Sequence, residues 1–287
     1  MARSEPELLL DGLCFPEGPR YRDGRLFFAD QHAHEVVAVE ASGARETVAQ
    51  VPQQPSGLGW MPDGTLLIVS MRDRKLLALG SDGGLHERAD LSQIASGHCN
   101  DMIVDARGRA YVGNFGFDLD GGAAPAPTSM ALVDEAGSVR AVADELLFPN
   151  GCAITEDGKT LIVAETFAAR LTAFDIAEDG SLSSRRLWAQ LPAPPDGICL
   201  DAEGCIWLAN PIPPGGFLRV AEGGEVRERI DLDKHAGYAC MLGGPERRTL
   251  FLLEALSSQP PDCTPGNGRI RTLEVEVPGA GWPEYRP

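Results

Sequence analysis

The chain has 287 residues, 43% of them hydrophobic, which is ample for a sizeable core. Lys and Arg number 25 against 42 Asp and Glu, a formal charge of −17 that repels phosphate backbones and anionic lipid and argues against a nucleic-acid or membrane partner. The charge is spread along the chain as a solubilising surface, no run approaches the ~18 apolar residues of a membrane span, and the seven cysteines lack CxxC spacing, so neither a zinc knuckle nor a complete disulfide framework is indicated.

In chain order, Leu8-Leu9-Leu10 is too short for the apolar centre of a secretory leader, so a cytoplasmic location is expected. Pro16-Glu17-Gly18 comes next, followed by an Asp23-Gly24 turn and two strand-like runs, Leu26-Phe27-Phe28-Ala29 and Glu35-Val36-Val37-Ala38-Val39. Between those runs lie His32 and His34, alternating residues of a strand end. Two histidines alone make a poor metal site, and His32 is better placed as a substrate-facing residue at a channel rim. The unit then recurs. Asp63-Gly64 precedes Leu66-Leu67-Ile68-Val69 and Lys75-Leu76-Leu77-Ala78-Leu79. Asn100-Asp101 precedes a turn at Gly108 and the run Ala110-Tyr111-Val112-Gly113, after which residues 116–128 form the longest loop, a candidate lid. Pro149-Asn150-Gly151 precedes Asp157-Gly158 and Leu161-Ile162-Val163-Ala164. Glu165 follows that run, where it should face the channel mouth and bind a polar substrate group. Pro195-Asp196-Gly197 precedes Glu203-Gly204 and Ile206-Trp207-Leu208-Ala209, and a degenerate turn at Glu246-Arg247-Arg248 precedes Leu250-Phe251-Leu252-Leu253.

Successive turn glycines, from Gly24 to Gly204, stand 40, 44, 50 and 46 residues apart. A repeat of this period built from short strands and Gly-, Asp- and Pro-rich turns predicts an all-β, six-bladed β-propeller, with residues 1–287 as a single domain. A two-sheet sandwich does not explain the period.

Asn100, Asn150 and Asp196 each lie eight residues before a turn glycine, and Glu17 lies seven before its own. Four oxygen-bearing side chains thus share nearly one position in different repeats, at one end of the central channel. Such oxygen-only donors suit Ca²⁺, Mg²⁺ or Mn²⁺, and Zn²⁺ if the coordination is less full. Cys14, Cys99, Cys152, Cys199 and Cys240 lie close by in sequence and are expected as small buried hydrophobes. Asp101 is expected to turn inward onto neighbouring strands.

These motifs, Phe15-Pro16-Glu17-Gly18-Pro19, Asn100-Asp101 with Asp105-Ala106-Arg107-Gly108-Arg109, Phe148-Pro149-Asn150-Gly151 and Pro195-Asp196-Gly197, resemble those of the family of regucalcin (senescence marker protein), gluconolactonases and luciferin-regenerating enzyme. The resemblance covers essentially the whole chain. It implies a calcium- or zinc-dependent propeller in which Glu17, Asn150 and Asp196 are direct metal ligands and Asn100 contacts the metal, directly or through water, and binds substrate. It further implies that Asp196 is the general base or positions the attacking water. Where many sugar lactonases of the family carry arginine two residues before the Asn, this chain has His98, a candidate substrate-binding residue able to donate one hydrogen bond. The implied activity is opening of a small-molecule lactone by a metal-dependent hydrolase. The alternatives are an organophosphate or ester hydrolase on the same metal site, and a non-catalytic calcium-binding propeller. No G-x-S-x-G elbow occurs. Apolar rim candidates Met71, Phe115, Phe117, Phe167, Ile212 and Phe217 hint at a less polar substrate.

Overall fold

Each turn glycine of the repeat does close a hairpin, and the hairpins assemble six sheets. The computed structural model describes residues 5–259 and 264–281. Among these, β1 (Glu7–Leu13) leads into blade one, made of β2 (Pro16–Arg22), β3 (Arg25–Asp30), β4 (Glu35–Glu40) and β5 (Arg45–Gln50). Blade two is β6 (Pro55–Trp60), β7 (Leu66–Ser70), β8 (Lys75–Leu79) and β9 (Leu85–Asp90). Blade three is β10 (Cys99–Val104), β11 (Ala110–Asn114), β12 (Thr128–Val133) and β13 (Val139–Leu146). Blade four is β14 (Pro149–Ile154), β15 (Thr160–Glu165), β16 (Arg170–Ile176) and β17 (Leu182–Gln190). Blade five is β18 (Ile198–Leu200), β19 (Ile206–Asn210), β20 (Gly216–Val220) and β21 (Val226–Asp231). Blade six takes β22 (Ala236–Gly243), β23 (Thr249–Ala255) and β24 (Gly268–Glu274) and completes its outer edge with β1. The first strand thereby fastens the ring to its last blade and covers a sheet edge.

The six first strands neighbour one another in a closed circle, β2 against β6, β6 against β10, and onward to β22, which returns to β2. This is a six-bladed β-propeller with its first strands lining the centre. Among the described residues, no helix is long and apolar enough to cross a membrane.

Alternation along each second strand explains its unbroken apolar run. Leu66 and Ile68 pack into a cluster with Phe27, Val36 and Ala38 of blade one, whereas Leu67 and Val69 pack with Met102, Val112 and Ala131 of blade three. A blade is thus buried on both faces, so the central residues of its second strand are apolar. Phe217 belongs to one of these inter-blade clusters and is fully buried, so it is not a rim residue. In the first hairpin, Asp23 and Gly24 take φ of 49° and 79°, the double positive φ of a two-residue turn matched to strand twist. The degenerate sixth turn uses Arg247 at φ 57° in the glycine's place.

Candidate functional site

Glu17, Asn100 and Asn150 are each the second residue of an innermost strand, and Asp196 lies just before the innermost strand of blade five. All four therefore stand at the same end of the channel. The pairing of first and second strands slips immediately after this position, between Glu17 and Arg20, Cys99 and Met102, and Pro149 and Cys152. Such bulges re-aim the side chain they carry, here toward the channel axis. Blade two has the same slip after Pro55, which places Ser56 in the corresponding position, buried and accepting a hydrogen bond from Gln31 Nε2 at 3.3 Å. Sequence reasoning missed Ser56, although Pro55-Ser56-Gly57 repeats the triplet in register eight residues before Gly64.

The glycine of the triplet has its own reason. A Cβ at Gly151 would lie 2.5 Å from the Ile198 nitrogen and 2.7 Å from the Asp196 carbonyl oxygen, and one at Gly18 would lie 2.6 Å from the Ser56 carbonyl oxygen. Adjacent innermost strands touch backbone to backbone, which brings their preceding side chains together.

Asn100, Asn150 and Asp196 are buried, and Glu17 keeps some solvent contact while protein surrounds it, as on the wall of a narrow channel. Asn150 Nδ2 donates to Asp196 Oδ1 and, at 3.2 Å, to Thr166 Oγ1. Burial raises the Asp196 carboxyl to about 8 despite the Asn150 hydrogen bond, with Asp101 adding repulsion. Burial also raises Glu17 well above the carboxylate range, and the nearby Asp196 charge adds to it. The nearby Arg20 is engaged elsewhere. Arg20 binds Asp101 at 3.0 Å and also donates to the carbonyls of Pro19 and Met102. Asp101 does turn inward, and it is neutralised there.

Two crowded buried carboxylates that form no ion pair among the described residues, together with a buried Asn100 amide whose Nδ2 has no partner, fit a hard cation and its solvent or substrate. Because half of this set is carboxamide, no cluster of three or more His, Cys, Asp or Glu side chains forms a metal site among the described residues. A cavity of about 860 Å³ opens at the opposite end of the channel beyond Arg20, and none of the four donors lines it.

Other expectations are redistributed. Glu165 is sealed from solvent: its oxygens accept from Arg170, Thr172, Arg185 and the Leu147 amide, so it holds a blade together and does not face the channel mouth. His34 turns outward to the Pro52 carbonyl, so no histidine pair forms. His32 remains at the rim, with Nδ1 accepting from Gln54 Nε2 at 3.0 Å and Nε2 donating to the Ser258 carbonyl at 3.2 Å. His98 is half-buried, 3.9 Å from Asp120 of the long loop and 5.8 Å from the Phe115 ring. Burial lowers the pKa of both imidazoles, which keeps them neutral at pH 7. Phe115 stacks on Phe148 at 4.5 Å, and Phe117 and Phe167 extend the aromatic wall. Cys14, Cys99, Cys152, Cys199 and Cys240 are buried free thiols, and burial pushes Cys99 up to about 12.

A family model described as SMP-30/Gluconolactonase/LRE-like region matches residues 15–255. The chain is 26% identical to 6-deoxy-6-sulfogluconolactonase of Pseudomonas putida over 92% of its own length and 91% of that protein. It is also 26% identical to pentonolactonase XacC of Haloferax volcanii, over 80% and 79% of the two chains. Regucalcin from Agrobacterium tumefaciens, described as a calcium-binding protein, superposes with a TM-score of 0.82 at 23% identity, covering 99% and 98% of the two chains, which shows the shared fold. Curated relatives named as lactonases thus support lactone hydrolysis as the activity.

Proposed function

The chain belongs to the SMP-30/gluconolactonase/LRE-like family, and on that premise we propose that it is a divalent-cation-dependent lactonase acting on the lactone of a sugar acid. The names of two relatives, a sulfogluconolactonase and a pentonolactonase, support the substrate class. The observation that carries the reading is the uncompensated set of Glu17, Asn100, Asn150 and Asp196 on one channel end.

In this reading Glu17, Asn150 and Asp196 hold the cation, Ca²⁺ first by donor chemistry, with Asn100 contributing its amide directly or through water. When bound, such a cation supplies Lewis acidity toward the lactone carbonyl and its oxyanion. Asp196 positions the attacking water and takes its proton as the water oxygen adds to the carbonyl carbon. The ring C–O bond then breaks, and the proton passes to the departing alkoxide oxygen. The unpaired end of the Asn100 amide and a ring N–H of neutral His98 hydrogen-bond the substrate, while Phe115, Phe148 and Phe167 exclude water from one side of the mouth.

The test is to strip the protein with chelator, restore Ca²⁺, Mg²⁺, Mn²⁺ or Zn²⁺ separately, and follow proton release from a lactone panel. Turnover restored by one cation and lost in Asp196→Ala is expected. Full activity in that variant overturns the assignment, and cation binding without turnover on any lactone overturns the hydrolytic reading.

A further inference from the structure

Arg72 follows β7 at the channel-mouth end of blade two, one residue beyond the buried Met71. Its Nε donates to Gln54 Oε1 at 2.6 Å, and the other end of the same amide donates to His32 Nδ1. Gln54 is itself buried and held at φ 66°, a conformation uncommon for a residue with a side chain. An exposed arginine ordinarily sweeps freely through solvent; this one is tethered through its inner nitrogen to a fixed amide. Its outer fork has no ion-pair or hydrogen-bond partner among the described residues. The Gln54 amide ties the guanidinium to His32, and the Met71 carbonyl, one residue before Arg72, accepts the Cys99 amide at 3.1 Å, so Arg72 leaves its strand beside the segment that carries His98 and Asn100. Asn100, whose Nδ2 has no partner, lies on that same segment.

We infer that Arg72 is a specificity-determining residue that reads an oxyanion substituent on the lactone: a carboxylate, sulfonate or phosphate on the carbon chain outside the ring. A planar guanidinium with two free nitrogens presents paired donors to such a group. The alternative occupant, a neutral hydroxyl, uses one donor and leaves the charge unmatched. In a protein of formal charge −17 with two carboxylates below the mouth, an anionic substrate needs a local cation to enter, and Arg72 supplies it. The inference rests on the lactonase reading for its substrate frame.

The experiment compares glycono-δ-lactones carrying a carboxylate, sulfonate or phosphate at C6 with the C6-hydroxyl parent, using the cation-loaded protein. Wild type is expected to favour the anionic lactones, and Arg72→Gln to reduce the anionic-to-neutral ratio of kcat/KM by about 10- to 100-fold, the loss of charge-assisted hydrogen bonds. The loss falls mainly on KM, and Arg72→Lys recovers part of the discrimination. The three substituents tell which oxyanion is read. A ratio unchanged in Arg72→Gln, or no preference in wild type, overturns the inference. If wild type opens no lactone at all, the hydrolytic reading has failed on its own. Calorimetric binding of glucarate against gluconate then decides Arg72: a preference for the dianion that Arg72→Gln removes upholds the inference, and its absence overturns it.

Discussion

Replacing Gly151 by alanine separates the geometry of the channel end from its chemistry. Gly151 is not in the left-handed region, so alanine brings no backbone strain of its own. The added Cβ meets the Ile198 nitrogen at 2.5 Å, the Asp196 carbonyl oxygen at 2.7 Å and the Gly197 Cα at 2.8 Å, all backbone atoms that cannot rotate away. Relief requires the innermost strands of blades four and five to part by roughly 1 Å, an overpacking cost of about 1–3 kcal/mol. At roughly 2–4 °C per kcal/mol for a chain above 150 residues, melting should fall by several degrees. The backbone that moves carries Asp196 relative to Asn150, and a displacement of about 1 Å in reacting groups costs on the order of 10²-fold in rate. Gly204→Ala is the control: it sits at φ 78° with nothing within 4 Å of a new Cβ, so it strains a distant turn and nothing else. Both variants should lose comparable melting temperature, while Gly151→Ala alone loses Ca²⁺ affinity in calorimetry and most turnover. Equal loss of turnover in the two, or wild-type affinity in Gly151→Ala, would refute the idea that backbone contact sets the donor geometry.

Further outcomes follow from the same structure. Asp196→Asn removes a buried carboxyl that folding holds in its protonated form, so the chelated variant should melt no lower than chelated wild type at neutral pH while turnover drops by at least ~10²-fold; retained turnover contradicts the base assignment. Glu165→Ala strands Arg170, Arg185 and the Leu147 amide, and should cost roughly 3 kcal/mol in denaturant unfolding with lactone KM within about twofold of wild type. A raised KM at unchanged stability would return Glu165 to the substrate. For the chelated protein, the Asp196 carboxyl rises from 3.8 to about 8 on folding, so the folded state favours its protonated form. That contribution is intact below about pH 4 and is lost as pH rises through about 8. Melting in chelator should therefore decline across this window and be restored by Ca²⁺; a pH-independent offset between chelated and loaded protein would contradict the buried charge pair.

How much of this could be read in advance depended on whether the residues concerned face a repeated environment. Hairpin turns must take positive φ at fixed intervals, so glycine spacing displayed the six blades, and the two-faced burial of middle strands displayed their positions. The fastening of β1 onto blade six left no such trace. Glu7-Leu8-Leu9-Leu10 is an edge strand exposed along much of its length, and its partner β24 lies at the other end of the chain. Ser56 was legible and passed over because a hydroxyl in a turn triplet looks like local turn chemistry. The tether of Arg72 was not legible at all, since Gln54 and His32 meet it only through the closure of blades one and two.

Glu165 shows why polar residues of one period divide into two kinds. At the mouth-side ends of the second strands stand Asp30, Ser70, Asn114, Glu165, Asn210 and Glu254, one per blade and all buried. Here the chain leaves the sheet, and amides and guanidinium groups of adjoining segments need acceptors: Asp30 takes the Cys14 and Phe15 amides, Asn210 takes the Ile212 amide, and Glu254 takes Arg269 and Arg271. One strand closer to the axis, Glu17, Asn100, Asn150 and Asp196 face a channel in which the backbone around them is already paired with neighbouring strands. Glu17 takes only the Gly18 amide and Asn150 links Asp196 to Thr166, the Asn100 Nδ2 has no partner, and burial raises the pKa values of Asp196 and Glu17. The outer ring satisfies the fold, whereas the inner ring is the one that the proposed function assigns to a cation and a substrate. Only the sheet register, which puts Pro149 opposite Glu165 and so leaves Asn150 at the bulge, tells one ring from the other.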